Sequence, residues 1–373
     1  MLIGVPKEIK PQEYRVGLVP DAVSDLVRLG GEVLIEHDAG KGIQISDDDY
    51  RAAGAEIVDT AAEVFERADL VIKVKEPQPD ECRMLRKGQT LFTFLHLAPD
   101  LEQIRLLKDS GATAIAYETV TQDGGGLPLL TPSSEVAGRL SIQAGAHCLE
   151  IARGGKGKLL GGVPSVEPAH VAVIGGGVVG SQAIQIAIGM GARVTVLDRS
   201  LPRLRYLDSQ FHTNLSALYA TNTAIEKAVA DADLLIGAVL IPGATAPKLV
   251  TEAMIHTMQP GSVVVDVAID QGGCFATSRA TTHQDPTYMV GDVVHYCVAN
   301  MPGAVPMTSA YALNNATLPF IMKMVTMGVK SALLADPHLL NGLSVHEGKL
   351  TYAAVAEAAG DVYVPPNEAL NDG

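Results

Sequence analysis

Four side chains stand where they can act on a small polar molecule: Arg15 in "KPQEYRVGLVP", Lys75 ending "ADLVIKVK", His96 in "TLFTFLHLAP" and Asp270 ending "SVVVDVAID". Each alone has an ordinary reading. Arg15 and Lys75 can be solvated surface charges, His96 a core histidine with one partner, and Asp270 a cap before Gly272-Gly273. Together they suggest a site. Two cations suit a small carboxylate, and an arginine can hold one through two parallel hydrogen bonds. A histidine can pass a proton to or from a carbonyl oxygen or an amine near neutral pH. A carboxylate can activate water or ammonia. The apolar run "TLFTFL" is expected to wall in His96 and disfavour its imidazolium form.

A second constellation points to a dinucleotide. "VAVIGGGVVG" places Gly175, Gly177 and Gly180 between an apolar strand and an apolar helix. The first glycine permits a tight turn, the second lets backbone approach a pyrophosphate, and the third lets helix and strand pack closely. The helix N-terminus then offers free N–H groups to the phosphates. Asp198 ends the following strand, "ARVTVLD", where an acid accepts the ribose hydroxyls and repels a 2′-phosphate. That favours NAD over NADP, although the guanidinium of Arg199 next door can tolerate a phosphate. The plain alternative is a glycine turn in an ordinary α/β domain.

The elements that must position these groups alternate. "LIGVP", "EVLIEHDAG", "EIVD", "ADLVIKVKEP", "TLFTFLHLAP" and "ATAIAYETV" read as strands separated by helical segments such as "PDAVSDLVRLGG" and "DLEQIRLLKDSG". Such alternation argues for βαβ units and a parallel sheet. After the loop "TQDGGGLPLLTP", the segment "SSEVAGRLSIQAGAHCLEIARGG" reads as one long helix leading into a second α/β unit. "YMVGDVVHYCV" reads as a further strand, and a loop and long helix follow in "ANMPGAVPMTSAYALNNATLPFIMKMVTMG". The last forty or so residues hold too few strands for a domain and are expected to pack onto the first. The expected fold class is therefore α/β, with two Rossmann-like domains built on parallel sheets and long connecting helices. The expected domains are 1–128 plus 307–373 for the substrate and 129–306 for NAD. An internal echo supports two related sheets: "RADLVIKV" resembles "DADLLIGA", and each precedes a strand that ends on His96 or Asp270. Open parallel sheets bind ligands at such carboxyl ends.

Bulk composition sets bounds. The 373 residues suffice for two domains, and the net charge of −14 argues against nucleic acid. Cys82, Cys148, Cys274 and Cys297 show no CxxC spacing, so free thiols in a reducing cytoplasm are the simplest reading. No secretory signal is read at "MLIGVPKEIK". The stretch from Val171 to Ala192 carries no charge and is long enough to span a bilayer, but its "GGG" interruption favours strand, turn and buried helix. Neither a membrane nor a nucleic-acid partner is expected.

The motifs "MLIGVPKEIKPQEYRVGLVP", "VIKVKEP", "LFTFLHLAP", "AHVAVIGGGVVG", "VVVDVAIDQGG" and "YCVANMPGAVP" resemble those of the bacterial L-alanine dehydrogenases, in the same order over nearly the full length. The resemblance implies a cytoplasmic, usually hexameric enzyme with a cleft between two Rossmann-like domains. The implied reaction interconverts L-alanine, NAD⁺ and water with pyruvate, NADH and ammonium. It further implies that Arg15 and Lys75 bind the substrate and that His96 and Asp270 are catalytic. The implied cofactor positions are Ser134, Val178, Asp198, Arg203, Ala220, Val239, Leu240, Val267, Ala268, Ile269, Asp270, Arg279, Val298, Ala299, Asn300 and Met301, beside the three glycines. Family members often carry Lys near Arg203 and Ser near Ala220, so Ala220 loses one hydroxyl contact. Some members hold magnesium through a Glu and a His. Here Glu118 is present but position 327 is Met327, and no metal is expected. Alternative readings are the NAD-binding subunit of a transhydrogenase and a saccharopine- or lysine-type dehydrogenase; a non-catalytic NAD sensor is a third.

Overall fold

The computed structural model describes residues 1–239 and 246–371. The chain divides into two compact units, Met1–Ser133 with Val305–Gly373, and Ser134–Ala304. In the first, six parallel strands form the body of an eight-stranded sheet: β1 (Leu2–Val5), β2 (Glu32–Glu36), β3 (Glu56–Val58), β4 (Leu70–Ile72), β5 (Thr90–Thr93) and β6 (Thr113–Ala116). Their spatial order is β3-β2-β1-β4-β5-β6. Strand order reverses between β1 and β4, the switch point where doubly wound sheets take their ligands.

The second unit repeats this order. β7 (His170–Ile174), β8 (Arg193–Asp198), β9 (Leu215–Tyr219), β10 (Leu234–Gly237) and β11 (Val263–Asp266) are parallel. β12 (Thr287–Val290) and β13 (Val293–Tyr296) complete a sheet of order β12-β13-β11-β10-β7-β8-β9. The echo in the sequence thus falls on corresponding strands: β4 matches β10, and β5 matches β11. Both sheets carry helices on their two faces, which explains strands that are buried along their whole length. Val5, Ile72 and Phe92 pack under helices Pro20–Arg28 and Pro306–Met327 through Leu26, Leu313 and Ile321. On the other face Val71, Leu91 and Ala114 meet Phe65 and Leu107. Helix starts follow local chemistry: Ser46 and Asp49 form a reciprocal capping box, and Thr60, Asp100 and Thr221 each cap a third-position N–H.

The bodies of both sheets are parallel, as expected, and antiparallel strands are added at their margins. Three pairings run antiparallel: β12 to β13, β14 (Leu343–His346) to β6, and β15 (Lys349–Leu350) to β14. For β12–β13 and β14–β15 the reason is local. "YMVGDVVHY" is a hairpin turning at Gly291-Asp292, and "SVHEGKL" turns at Glu347-Gly348, where both residues take positive φ of 44° and 80°. A two-residue turn can join only antiparallel strands. The connecting helix Thr131–Cys148 is also shorter than "SSEVAGRLSIQAGAHCLEIARGG"; a separate 3₁₀ turn, Ile151–Arg153, follows it. The uncharged stretch 171–192 forms β7, a glycine turn and helix Val178–Gly189. Among the described residues no single helix is long and apolar enough to cross a membrane.

Candidate active site

In the first unit, the groups singled out in the sequence follow the carboxyl ends of β1, β4 and β5. They lie beyond the strands rather than on them: β4 stops at Ile72, three residues before Lys75, and β5 at Thr93, three before His96. Arg15 is not a solvated surface charge. It is 2% exposed, and its Nε and Nη2 each donate to a Glu13 carboxylate oxygen at 2.7 Å. Glu13 also accepts the Arg15 backbone N–H at 3.1 Å. Burial pushes the Glu13 carboxyl up, but Arg15 and the charge of Lys75 outweigh it and hold Glu13 below its usual range. Arg15, Glu13 and Lys75 together carry one net positive charge, which suits a small carboxylate.

His96 differs more sharply from expectation. The apolar run before it does not enclose it: the side chain is 47% exposed, because β5 has already ended and the chain has turned. The turn has φ 48° at His96, an uncommon conformation for a residue with a Cβ. Glu118 holds it by accepting the N–H groups of Leu95 and His96, the latter at 2.6 Å. The ring stacks on Phe94 at 5.8 Å, and Phe94 rests edge-on against Tyr117. A strained, doubly anchored backbone that presents an exposed imidazole is a frequent active-site arrangement. Glu118, noted in the sequence only as a possible metal ligand, thus seats His96.

In the second unit the glycine motif behaves as its spacing requires. Gly175 has φ 98°, and a Cβ there would lie 2.5 Å from the Ala238 carbonyl oxygen. A Cβ on Gly180 would lie 1.9 Å from the Gly175 carbonyl oxygen, so only glycine lets helix and strand approach this closely. Gly177 caps helix Val178–Gly189 and has nothing within 4 Å of its would-be Cβ, which leaves space for a pyrophosphate at the helix start. Asp198 ends β8 and accepts the N–H of Gly176 and of Ser200, each at 2.7 Å. Arg203 donates through Nε to the Gly176 carbonyl at 2.5 Å, and its guanidinium lies 4.9 Å from the Tyr206 ring centre.

The remaining cofactor candidates lie mostly along the same carboxyl edge. Ala220 follows β9 and is buried, Val239 follows β10, and Val267, Ala268, Ile269 and Asp270 follow β11. Val298, Ala299, Asn300 and Met301 follow β13, with Val298 and Met301 buried. Val178 is exposed at its helix start, and Ser134 is half-buried early in Thr131–Cys148. Arg279 lies between β11 and β12, its guanidinium 3.9 Å from the Tyr288 ring centre. Leu240 lies outside the described residues. Asp270 is exposed and sits in the 3₁₀ turn Val267–Gln271, four residues past the strand end, with Oδ1 accepting the Asn300 N–H at 3.2 Å. The residue that ends β11 is Asp266. It is fully buried and accepts from the N–H groups of Ala268, Cys274 and Phe275 and from the Ser278 hydroxyl. Burial raises its carboxyl above the usual range despite these bonds. The sequence carried a signal for it, a second acid four residues before Asp270.

Two family models match the chain, the N-terminal domain of alanine dehydrogenase/PNT over residues 4–137 and its C-terminal domain over 141–353. The chain belongs to the alanine dehydrogenase/PNT family. Its curated relatives include the alanine dehydrogenase of Halomonas elongata, 57% identical over 98% of each chain. That of Bacillus subtilis is 53% identical over all of this chain and 98% of its own. A solved L-alanine dehydrogenase superposes with a TM-score of 0.93 at 52% identity, covering 96% of this chain and 99% of its own. A transhydrogenase from Sinorhizobium meliloti superposes at 0.80 with 27% identity, over 95% of this chain and all of its own. In this alanine dehydrogenase/PNT member, as the motifs led one to expect, the fold is α/β and Rossmann-like, with a nucleotide-binding type of second unit.

Proposed function

We propose that this protein is an NAD-dependent L-alanine dehydrogenase that interconverts L-alanine and pyruvate with ammonium. One observation carries the reading: a buried Arg15–Glu13 pair with Lys75, and an exposed, backbone-strained His96, follow three strand ends beside the switch point of one sheet. A unit that only bound a dinucleotide would have no use for this second set of groups, which weighs against the transhydrogenase-type reading. The degree of identity points the same way, at 50–57% to curated alanine dehydrogenases and 27% to the transhydrogenase.

Gly175, Gly177, Gly180 and Asp198 would hold NAD, which supplies the hydride acceptor when bound. Arg15 and Lys75 bind the substrate carboxylate and set the orientation of its Cα. Loss of hydride from Cα leaves an iminium, and Asp270 draws a proton from the water that adds to it. His96 moves the proton that lets the resulting carbinolamine expel ammonia and become pyruvate. Asp198 repels a 2′-phosphate, so NAD⁺ is preferred to NADP⁺.

The test is formation of reduced nicotinamide with a panel of amino acids and either cofactor. Turnover with L-alanine and NAD⁺ is expected. His96→Ala and Asp270→Ala should each lower kcat by roughly 10²–10⁴, the usual worth of a general acid or base, while NADH still binds. Wild-type protein that binds NADH yet is silent with L-alanine would return the assignment to a transhydrogenase-like module.

A further inference from the structure

β4 ends at Ile72, and the next residues must carry Lys75 away from the sheet without losing its position. Three buried charged side chains meet there. Glu8 Oε1 accepts the N–H of Val74 at 2.6 Å and that of Lys75 at 3.3 Å. Glu8 Oε2 accepts from Lys73 Nζ at 3.1 Å, and Lys73 Nζ also donates to Glu81 Oε1 at 2.8 Å. Glu81 Oε2 accepts the Gln78 N–H at 2.8 Å and so closes the far end of the same segment. The side chains of Lys73, Glu8 and Glu81 are 0%, 2% and 2% exposed. From the other side the Thr93 hydroxyl donates to the Lys75 carbonyl oxygen at 2.9 Å. The peptide groups flanking Lys75 are therefore fixed on both the N–H and the C=O side.

Buried ion groups contribute little to stability compared with apolar residues of the same size, and the best-attested use for them is to specify one arrangement among several. Here the arrangement specified is that of the Lys75 backbone. We propose that Glu8 is a positioning residue for substrate binding: its carboxylate, held by the buried Lys73–Glu81 pair, sets the place of Lys75. The proposal rests on the reading of Lys75 as a ligand of the substrate carboxylate. It assigns different weights to the members of the cluster. Glu8 and Thr93 bond the Lys75 backbone, whereas Glu81 bonds Lys73 and Gln78 and keeps the cluster in balance.

Steady-state kinetics and melting temperatures of Glu8→Gln, Thr93→Val, Glu81→Gln and Lys75→Ala test this. Glu8→Gln should raise KM for L-alanine and pyruvate roughly tenfold, the loss expected of one charge-assisted hydrogen bond. Thr93→Val should raise both about threefold, as for one neutral hydrogen bond. In both variants KM for NAD⁺ stays within about twofold, since the second unit is untouched. Glu81→Gln should lower the melting temperature and leave the substrate KM in place. A cluster that merely fills the core would lower the melting temperature in Glu8→Gln and Glu81→Gln alike with every KM unchanged, which overturns the proposal. If Glu8→Gln does not fold, Thr93→Val decides, and an unchanged substrate KM there overturns it. Lys75→Ala separates the two levels. An unchanged substrate KM in that variant sinks the role of Lys75 itself, whereas a raised one beside normal Glu8→Gln and Thr93→Val sinks the positioning role alone.

Discussion

At the scale of single residues, the second unit depends on a fully buried carboxylate. Asp266 caps the 3₁₀ turn that carries Asp270 and gathers three backbone N–H groups and a hydroxyl in a fully buried place. Asp266→Ala leaves those donors without an acceptor, and a buried donor stripped of its partner costs about 1–3 kcal/mol. We expect a loss of about 3 kcal/mol or more by denaturant unfolding, with kcat down at least about tenfold as Asp270 loses its mount. A variant that unfolds and turns over like wild type would refute this. The sequence points to Asp270 but not to Asp266, because "SVVVDVAID" reads as one strand and alternation cannot show where a buried strand gives way to a turn. For the same reason Lys75 and His96 read as strand ends, whereas each lies three residues beyond its strand. Residue type and neighbourhood point to Arg15 but not to its burial, which depends on Glu13 closing back on it over two residues.

At the scale of elements, the β7–turn–helix unit gives a paired prediction from two glycines of one motif. Gly180→Ala drives a Cβ to 1.9 Å from a backbone oxygen, so helix Val178–Gly189 must part from β7. Overpacking of this kind costs typically about 1–3 kcal/mol, and both stability and NAD⁺ affinity should fall. Gly177→Ala meets nothing within 4 Å and keeps a negative φ of −66°. Melting of the ligand-free protein should therefore be unchanged while NAD⁺ affinity drops, read by calorimetric titration. Equal effects of the two substitutions on stability would show that the open space at Gly177 is not what the motif preserves. This unit was legible because glycine spacing, apolar strand and apolar helix all constrain one another. The antiparallel edges were not read, although Gly291-Asp292 and Glu347-Gly348 are hairpin signals. In a chain dominated by βαβ alternation, "YMVGDVVHYCV" reads as one strand, and "SVHEGKL" is too short to stand out as a strand pair.

At the scale of the molecule, one doubly wound order appears twice, and the weak echo of "RADLVIKV" and "DADLLIGA" falls on corresponding strands. The second sheet also buries two imidazoles. His170 in β7 bonds Thr195 at 2.9 Å and the Asp231 carbonyl at 3.1 Å; His295 in β13 bonds Thr277 at 2.8 Å and the Val293 carbonyl at 3.2 Å. Burial lowers both below the ordinary value of 6.5. His346, at the edge of the first sheet, is lowered for the same reason. The folded protein therefore keeps these rings neutral at pH values where the unfolded chain protonates them. Stability is fully present above about pH 6.5 and is lost as pH falls below it, by up to about 1.4 kcal/mol per pH unit for each ring. Glu8 and Asp266, raised by burial, act with the opposite sign, so the net profile mixes the two. Substitution isolates the histidines. His170→Gln and His295→Gln should each flatten the decline of melting temperature between about pH 7 and pH 5 relative to wild type. A decline as steep in both variants as in wild type would mean that these rings protonate freely in the folded state, and that burial does not hold them neutral.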